Sequence, residues 1–223
     1  MKRFFRENGL SLVLFWLFFF TLMFGQSLTG LKTYNEEQEE HGGEQVTFGE
    51  YLQTGHFLES TAENWESEFL QMFIYVLLTA YLYQKGSSES RKLDEENPQD
   101  RDPAKSKDNP DAPWPVRRGG WVLKLYENSL SLAFLLFFLV AFWLHALGGH
   151  WEYNEEQLQH GQTTVTVLGY MGTSRFWFES LQNWQSEFLG WSCSPSTCAS
   201  AGPRSPSRWT APTSRRVHSW FRL

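Results

Sequence analysis

Two glutamate–histidine pairs are the residues best suited to chemistry. Glu37 precedes His41, and Glu156 precedes His160, each at i, i+4 spacing. On a helix that spacing puts a carboxylate and an imidazole on one face, where a divalent metal could use both. The preferred reading is polar loop chemistry without a ligand, so no metal and no cofactor is assigned. Glu68 and Glu187 could line a cation path, but each stands where a surface helix enters an apolar segment and reads as a solvated residue. Trp65 and Trp184 read as interfacial anchors rather than binding residues. His145 could relay protons, and its place near the end of an apolar run favours the headgroup level instead. Cys193 and Cys198 form C-x4-C without a histidine cluster and receive no role. No phosphate-binding glycine loop, nucleophile elbow or HExxH occurs, so no catalytic residue is named and an enzyme is not expected.

The elements that must position these residues begin with two apolar runs. In a chain of 223 residues with 19 Phe and 11 Trp, no Lys, Arg, Asp or Glu appears from Gly9 to Leu31 or from Asn128 to Gly149. Each run is apolar on every face (FWLFFF at Phe15–Phe20, FLLFFLV at Phe134–Val140). At roughly 1.5 Å per residue, either crosses the roughly 30 Å hydrocarbon core of a bilayer. A chain this short cannot bury two such helices in a soluble core, so lipid is their expected surroundings. A cleaved signal peptide fits the first run poorly, because the same arrangement recurs in mid-chain.

That recurrence is detailed. YNEEQ at Tyr34 returns at Tyr153, and NWESEFL at Asn64 returns as NWQSEFL at Asn183, both 119 residues on. Glu7-Asn8-Gly9-Leu10-Ser11-Leu12 matches Glu127-Asn128-Ser129-Leu130-Ser131-Leu132 at an offset of 120. Ordered matches at a nearly fixed offset indicate a duplicated unit. Asn64, Trp65, Ser67, Glu68 and Phe69, with Asn183, Trp184, Ser186, Glu187 and Phe188, are therefore read as a structural interfacial motif. Phe48, Tyr51, Leu52, Gly55, Leu58, Ala62, Trp65 and Phe69 keep helical spacing, which predicts an amphipathic surface helix leading into a second span. Thr47-x-x-Glu50 resembles a capping box at its start.

The expected architecture is all-α. Repeat 1 covers 1–83, with spans at about 10–30 and 67–83 and an interfacial helix at about 48–64. A disordered cytoplasmic linker covers 84–118 and is rich in proline and mixed charge. Repeat 2 covers 119–189, with a span at about 128–148 and an interfacial helix at about 167–188. Lys and Arg number three in the first six residues and nine from Gln84 to Tyr126, but one in each acidic stretch between spans. That alternation puts the N-terminus and linker in the cytoplasm. The linker's basic residues alternate with acidic ones, which argues against nucleic acid as a partner. The expected partners are the lipid bilayer, a second copy of the chain, or another membrane protein.

After Leu189 the composition changes abruptly, to GWSCSPSTCASAGPRSPSRWTAPTSRR. Shifting the reading frame puts a central T into consecutive codons, which then encode apolar residues. One permitted reading, LVLLAVYLRQRGSPESKPVD, aligns with YVLLTAYLYQKGSSESRKLD from Tyr75. Residues 190–223 are therefore read as a disordered, frameshifted tail that replaces a fourth span.

The order ENGLSL, apolar run, YNEEQ, NWxSEF, present twice over residues 1–189, resembles an uncharacterised family of small bacterial multi-pass membrane proteins. The resemblance implies four spans and an inner-membrane location, and it carries over no catalytic residue. The expected function is a non-enzymatic structural or interaction component of the bacterial cell membrane. The alternative is a small transporter or channel with a path between the repeats.

Overall fold

The computed structural model describes residues 2–83, 103–106 and 108–192. Among them the fold is all-helical. The helices are α1 (Lys2–Glu7), α2 (Gly9–Phe20), α3 (Ser27–Glu40), α4 (Phe48–Tyr51), α5 (Gly55–Tyr81), α6 (Trp114–Arg118), α7 (Gly120–Glu127), α8 (Ser129–Gln159), α9 (Val167–Met171) and α10 (Ser174–Ser192).

A π-helical turn, Thr21–Gln26, joins α2 to α3, so one rod runs from Gly9 to Glu40. Its cause is visible in the numbering. Glu7 to Tyr34 holds one residue more than Glu127 to Tyr153, and a π turn absorbs a single extra residue without breaking a helix. The rod Gly9–Glu40 and α8, of 32 and 31 residues, are long and apolar enough to cross a membrane. Both outrun the expected spans of 10–30 and 128–148. The YNEEQ segments, expected in loops, are their last helical turns, because no proline interrupts 27–40 or 149–159 and Gly42 and Gly161, at φ +73° and +66°, end them instead.

Matched local geometry follows each rod. The Asn35 side chain accepts from the Val46 N–H and donates to the Val46 carbonyl, at 2.8 and 3.0 Å. Asn154 does the same with Val165 at the same distances. The expected capping box forms, with the Glu50 carboxylate accepting the Thr47 N–H at 2.8 Å. Thr166, without that glutamate, accepts from the Gly169 N–H alone. Tyr51 lies over Gly30 and Tyr170 over Gly149, where in each case a Cβ would collide with the phenol.

The separate surface helix expected at 48–64 is corrected. Thr54 and Thr173, whose side chains meet the Phe57 and Phe176 N–H groups, start new helices. The breaks therefore fall just after α4 and α9. Nothing then interrupts residues 55–81, so the amphipathic stretch and the apolar stretch form one 27-residue helix. In the second half, α10 likewise runs through 188 to Ser192. The linker expectation is corrected in part. Residues 84–102 lie outside the described residues, but 114–118 are helical, with Pro115 in the first turn and Val116 buried. The tail from 193 lies outside the described residues.

The packing centre is the α5–α8 pair. Gly55 and Gly148 bring their backbones together, since a Cβ on Gly148 would stand 2.4 Å from the Glu59 nitrogen. α10 closes over this pair, with Tyr170, Phe176 and Ala146 fully buried. Each large side chain buried there stabilises the fold by about 2 kcal/mol. By contrast α2 buries no residue.

Candidate functional site: a buried carboxylate–imidazole cluster

Along α8 the residues turned toward α5 and α10 are Ala141, His145, Gly148, Gly149 and Glu152, a helical stripe of which the first four are buried. The answering face of α5 carries Gly55, Glu59, Ala62 and Glu66, all buried. Small residues on this seam let the helices approach, and the acids between them meet the histidine.

His145 is fully buried. Its Nδ1–H donates to Glu66 Oε2 at 2.7 Å, and its ring stacks on Phe176 at 4.9 Å. Its Nε2 has no hydrogen-bond partner and faces Glu179 Oε2 at 3.6 Å. The Trp184 indole N–H donates to Glu66 Oε1 at 2.9 Å, and the Asn183 amide donates to Glu63. The Tyr170 hydroxyl lies 3.0 Å from Glu59 Oε1 and 2.8 Å from Glu179 Oε2. One phenolic proton cannot serve two ionised carboxylates, so one of them must carry a proton.

The environments assign that proton to Glu59. Burial, then the charge of Glu179, pushes the Glu59 carboxyl upward. Burial also opposes ionisation of Glu179. His145, the Tyr170 hydroxyl and the Arg175 guanidinium, whose Nε donates at 3.0 Å, together hold it below its ordinary value. A pair of acids driven apart in this way can pass a proton or exchange it for a cation.

The structure brings the sequence-predicted residues together as well. Glu37, His41, Glu156 and His160 line one cavity of about 340 Å³, along with Glu152 and Glu155. The His41 and His160 rings stand 5.9 Å apart, and each Nδ1–H donates to the carbonyl four residues back at 2.8 Å. Tyr34 and Gln38 donate to Glu155 across the cavity, and Arg175 pairs with Glu156 at its rim. Burial, then Glu155, pushes Glu152 up to about 7. Among the described residues, however, the metal-type ligand atoms that converge within 4.8 Å are those of Glu59, His145 and Glu179. Glu68 is exposed and Glu187 half-buried, neither within this cluster.

Within the repeated motif, the matching asparagines differ in role: Asn64 bonds the Ser60 carbonyl on its own helix, whereas Asn183 reaches α5. Ser67 and Ser186 each close back on the preceding asparagine carbonyl. Trp65 sits near Phe18, Phe69 contacts Phe137, and Phe188 is exposed. The motif's variable position, Glu66, is the one at the centre of the cluster. In the sequence, Glu59, Glu66 and Glu179 read as acids of the polar stretches between spans, and His145 as a headgroup-level residue. One signal was available: His145 stands where Gln26 stands 119 residues earlier, and Gln185 where Glu66 does.

These features define a protein that, among the described residues, is all-helical, with two helices long and apolar enough to cross a membrane and a buried acid–histidine cluster beside one of them. The chain belongs to the family described as Domain of unknown function (DUF6766), whose sequence model covers residues 1–194. No curated protein and no solved structure matches it.

Proposed function

We propose that this chain is a multi-pass protein of the bacterial inner membrane, built from two tandem copies of one unit, and that it handles cations at a site between the copies. The carrying observation is His145, fully buried on an apolar helix and flanked by Glu66 and Glu179 from two other helices. Ionisable groups buried beside a membrane span are costly and mark ion or proton routes. The matched geometry of Asn35 and Asn154 supports the duplication, and the nine Lys and Arg from Gln84 to Tyr126 support a cytoplasmic N-terminus.

The acidic cavity forms an outer vestibule that concentrates cations. Glu152 lines it, and its charge acts on Glu59 in the cluster. Toward the other end of the pair, Phe69 and Phe137 pack with ring centres 5.3 Å apart and planes tilted by 40°. No enzymatic role is assigned. A structural role remains the second reading, favoured by the exposed aromatic surface of α2, none of whose residues is buried, which suits lipid, a second copy or another membrane protein.

Two measurements test this. Reporter fusions at residues 40 and 165 should report outside, and one at 100 inside. In proteoliposomes, entrapped dyes should register entry of protons or Mn2+ above the level of empty vesicles, and Glu66→Gln should abolish it. Correct topology with no flux of either ion would overturn transport in favour of the structural reading.

A further inference from the structure

We propose that Glu59, His145 and Glu179 bind a divalent first-row transition-metal ion, with Glu66 as the outer carboxylate that orients the imidazole. The inference deepens the cation-handling reading and rests on it for the site's purpose, but not for its geometry.

Three observations carry it. The ligand atoms of the three residues already lie within 4.8 Å of one another. Donors held at about 2.0 to 2.2 Å in a tetrahedral site stand roughly 3.3 to 3.6 Å apart. The Nε2–Glu179 edge, at 3.6 Å, is already there, and the widest edge needs to close by no more than about 1.5 Å. Second, His145 Nε2 is buried, faces Glu179 Oε2 at 3.6 Å and has no hydrogen-bond partner, so it is the ring nitrogen left to a ligand. Third, Nδ1 is tied to Glu66 Oε2 at 2.7 Å, the carboxylate–histidine contact that fixes which ring nitrogen faces a metal. The Trp184 N–H holds Glu66 by its other oxygen, so this orienting carboxylate is itself fixed.

The donor set selects the ion. One imidazole and two carboxylates suit Zn2+, Mn2+ or Fe2+, whereas Mg2+ and Ca2+ prefer all-oxygen surroundings. Three protein ligands leave a coordination position open, which favours an exchangeable ion over a locked structural one. Arg175, bonded to the other oxygen of Glu179, would stay as its neighbour.

The test uses the full chain purified in detergent, stripped with chelator and titrated with Zn2+ or Mn2+. About one ion per chain should bind. His145→Gln and Glu179→Gln should each weaken binding by tenfold or more, and Glu66→Gln by roughly 10- to 100-fold with the stoichiometry kept. His41→Ala with His160→Ala should leave binding unchanged. X-ray absorption on the zinc-loaded natural chain should show one imidazole nitrogen among oxygen ligands, a readout that survives if a variant fails to fold. No stoichiometric binding, an all-oxygen or two-histidine shell, or loss of binding in the His41/His160 variant would overturn the site. Binding without flux sinks transport and keeps the site; proton flux without a bound ion does the reverse.

Discussion

Gln26 and His145 occupy matched positions on the two long rods, 119 residues apart, and their surroundings differ in kind. Gln26 donates to the hydroxyls of Ser60 and Thr61 at 3.3 and 3.2 Å, a neutral and partly exposed arrangement. His145 is fully buried between two carboxylates. Ser60 is matched by Glu179, and Glu66 by Gln185. Acid and base were therefore placed so that they meet once, on the α5–α8 seam, rather than twice. The contrast teaches that the recurring motif residues build the frame, while the positions at which the two matching segments differ supply the charge.

The sharpest way to break this contrast is at the helix crossing. Gly148→Leu drives a side chain into the Glu59 backbone and should cost about 3 kcal/mol or more, abolishing folded protein on gel filtration. The matched Thr29 is exposed, and Thr29→Leu should leave the elution profile unchanged. Next in size is the charge itself. His145→Gln leaves Glu66 and Glu179 facing a neutral amide and should lower stability by about 3 kcal/mol in detergent unfolding followed by Trp fluorescence. Gln26→His, in the half-exposed site, should change it by less than about 1 kcal/mol.

The frame, by contrast, should respond alike in both halves. Asn35→Ala and Asn154→Ala each strip a valine of two side-chain bonds and should each cost about 1 to 2 kcal/mol, equal within error. The smallest expected effect is one of pH. Glu152 has its carboxyl raised from 4.5 to about 7, so the folded chain keeps a proton that the unfolded chain releases earlier. That contribution is complete below about 4.5 and fades as pH rises through about 7. Glu152→Gln should flatten the decline and be the more stable form at pH 8, by about 1 kcal/mol.

The rods and the caps were legible because they are written in local patterns. Uncharged runs, YNEEQ and Thr47-x-x-Glu50 need no partner to be read. The long α5 was less so, since the amphipathic and apolar patterns adjoin and only the Thr54 cap marks the true start. The cluster was hidden for a different reason. Glu59 and Glu66 are polar residues on a polar-looking stripe, and periodicity assigns such positions to solvent. Their burial depends on a second helix brought close by Gly55 and Gly148, and no single-segment pattern records that approach. The Glu37/His41 and Glu156/His160 pairs were legible as neighbours in sequence, and the cavity joins them, but the convergent ligand atoms lie deeper.

A double-mutant cycle on Glu66 and His145 tests most directly whether this buried pair couples α5 to α8. Stabilities of the natural chain, Glu66→Gln, His145→Gln and the double variant would be measured by reversible unfolding in the same detergent. The double variant should lose far less than the sum of the singles, with a coupling of about 1 to 3 kcal/mol. Additive losses would mean that the two residues act separately and that the α5–α8 seam is held by packing alone.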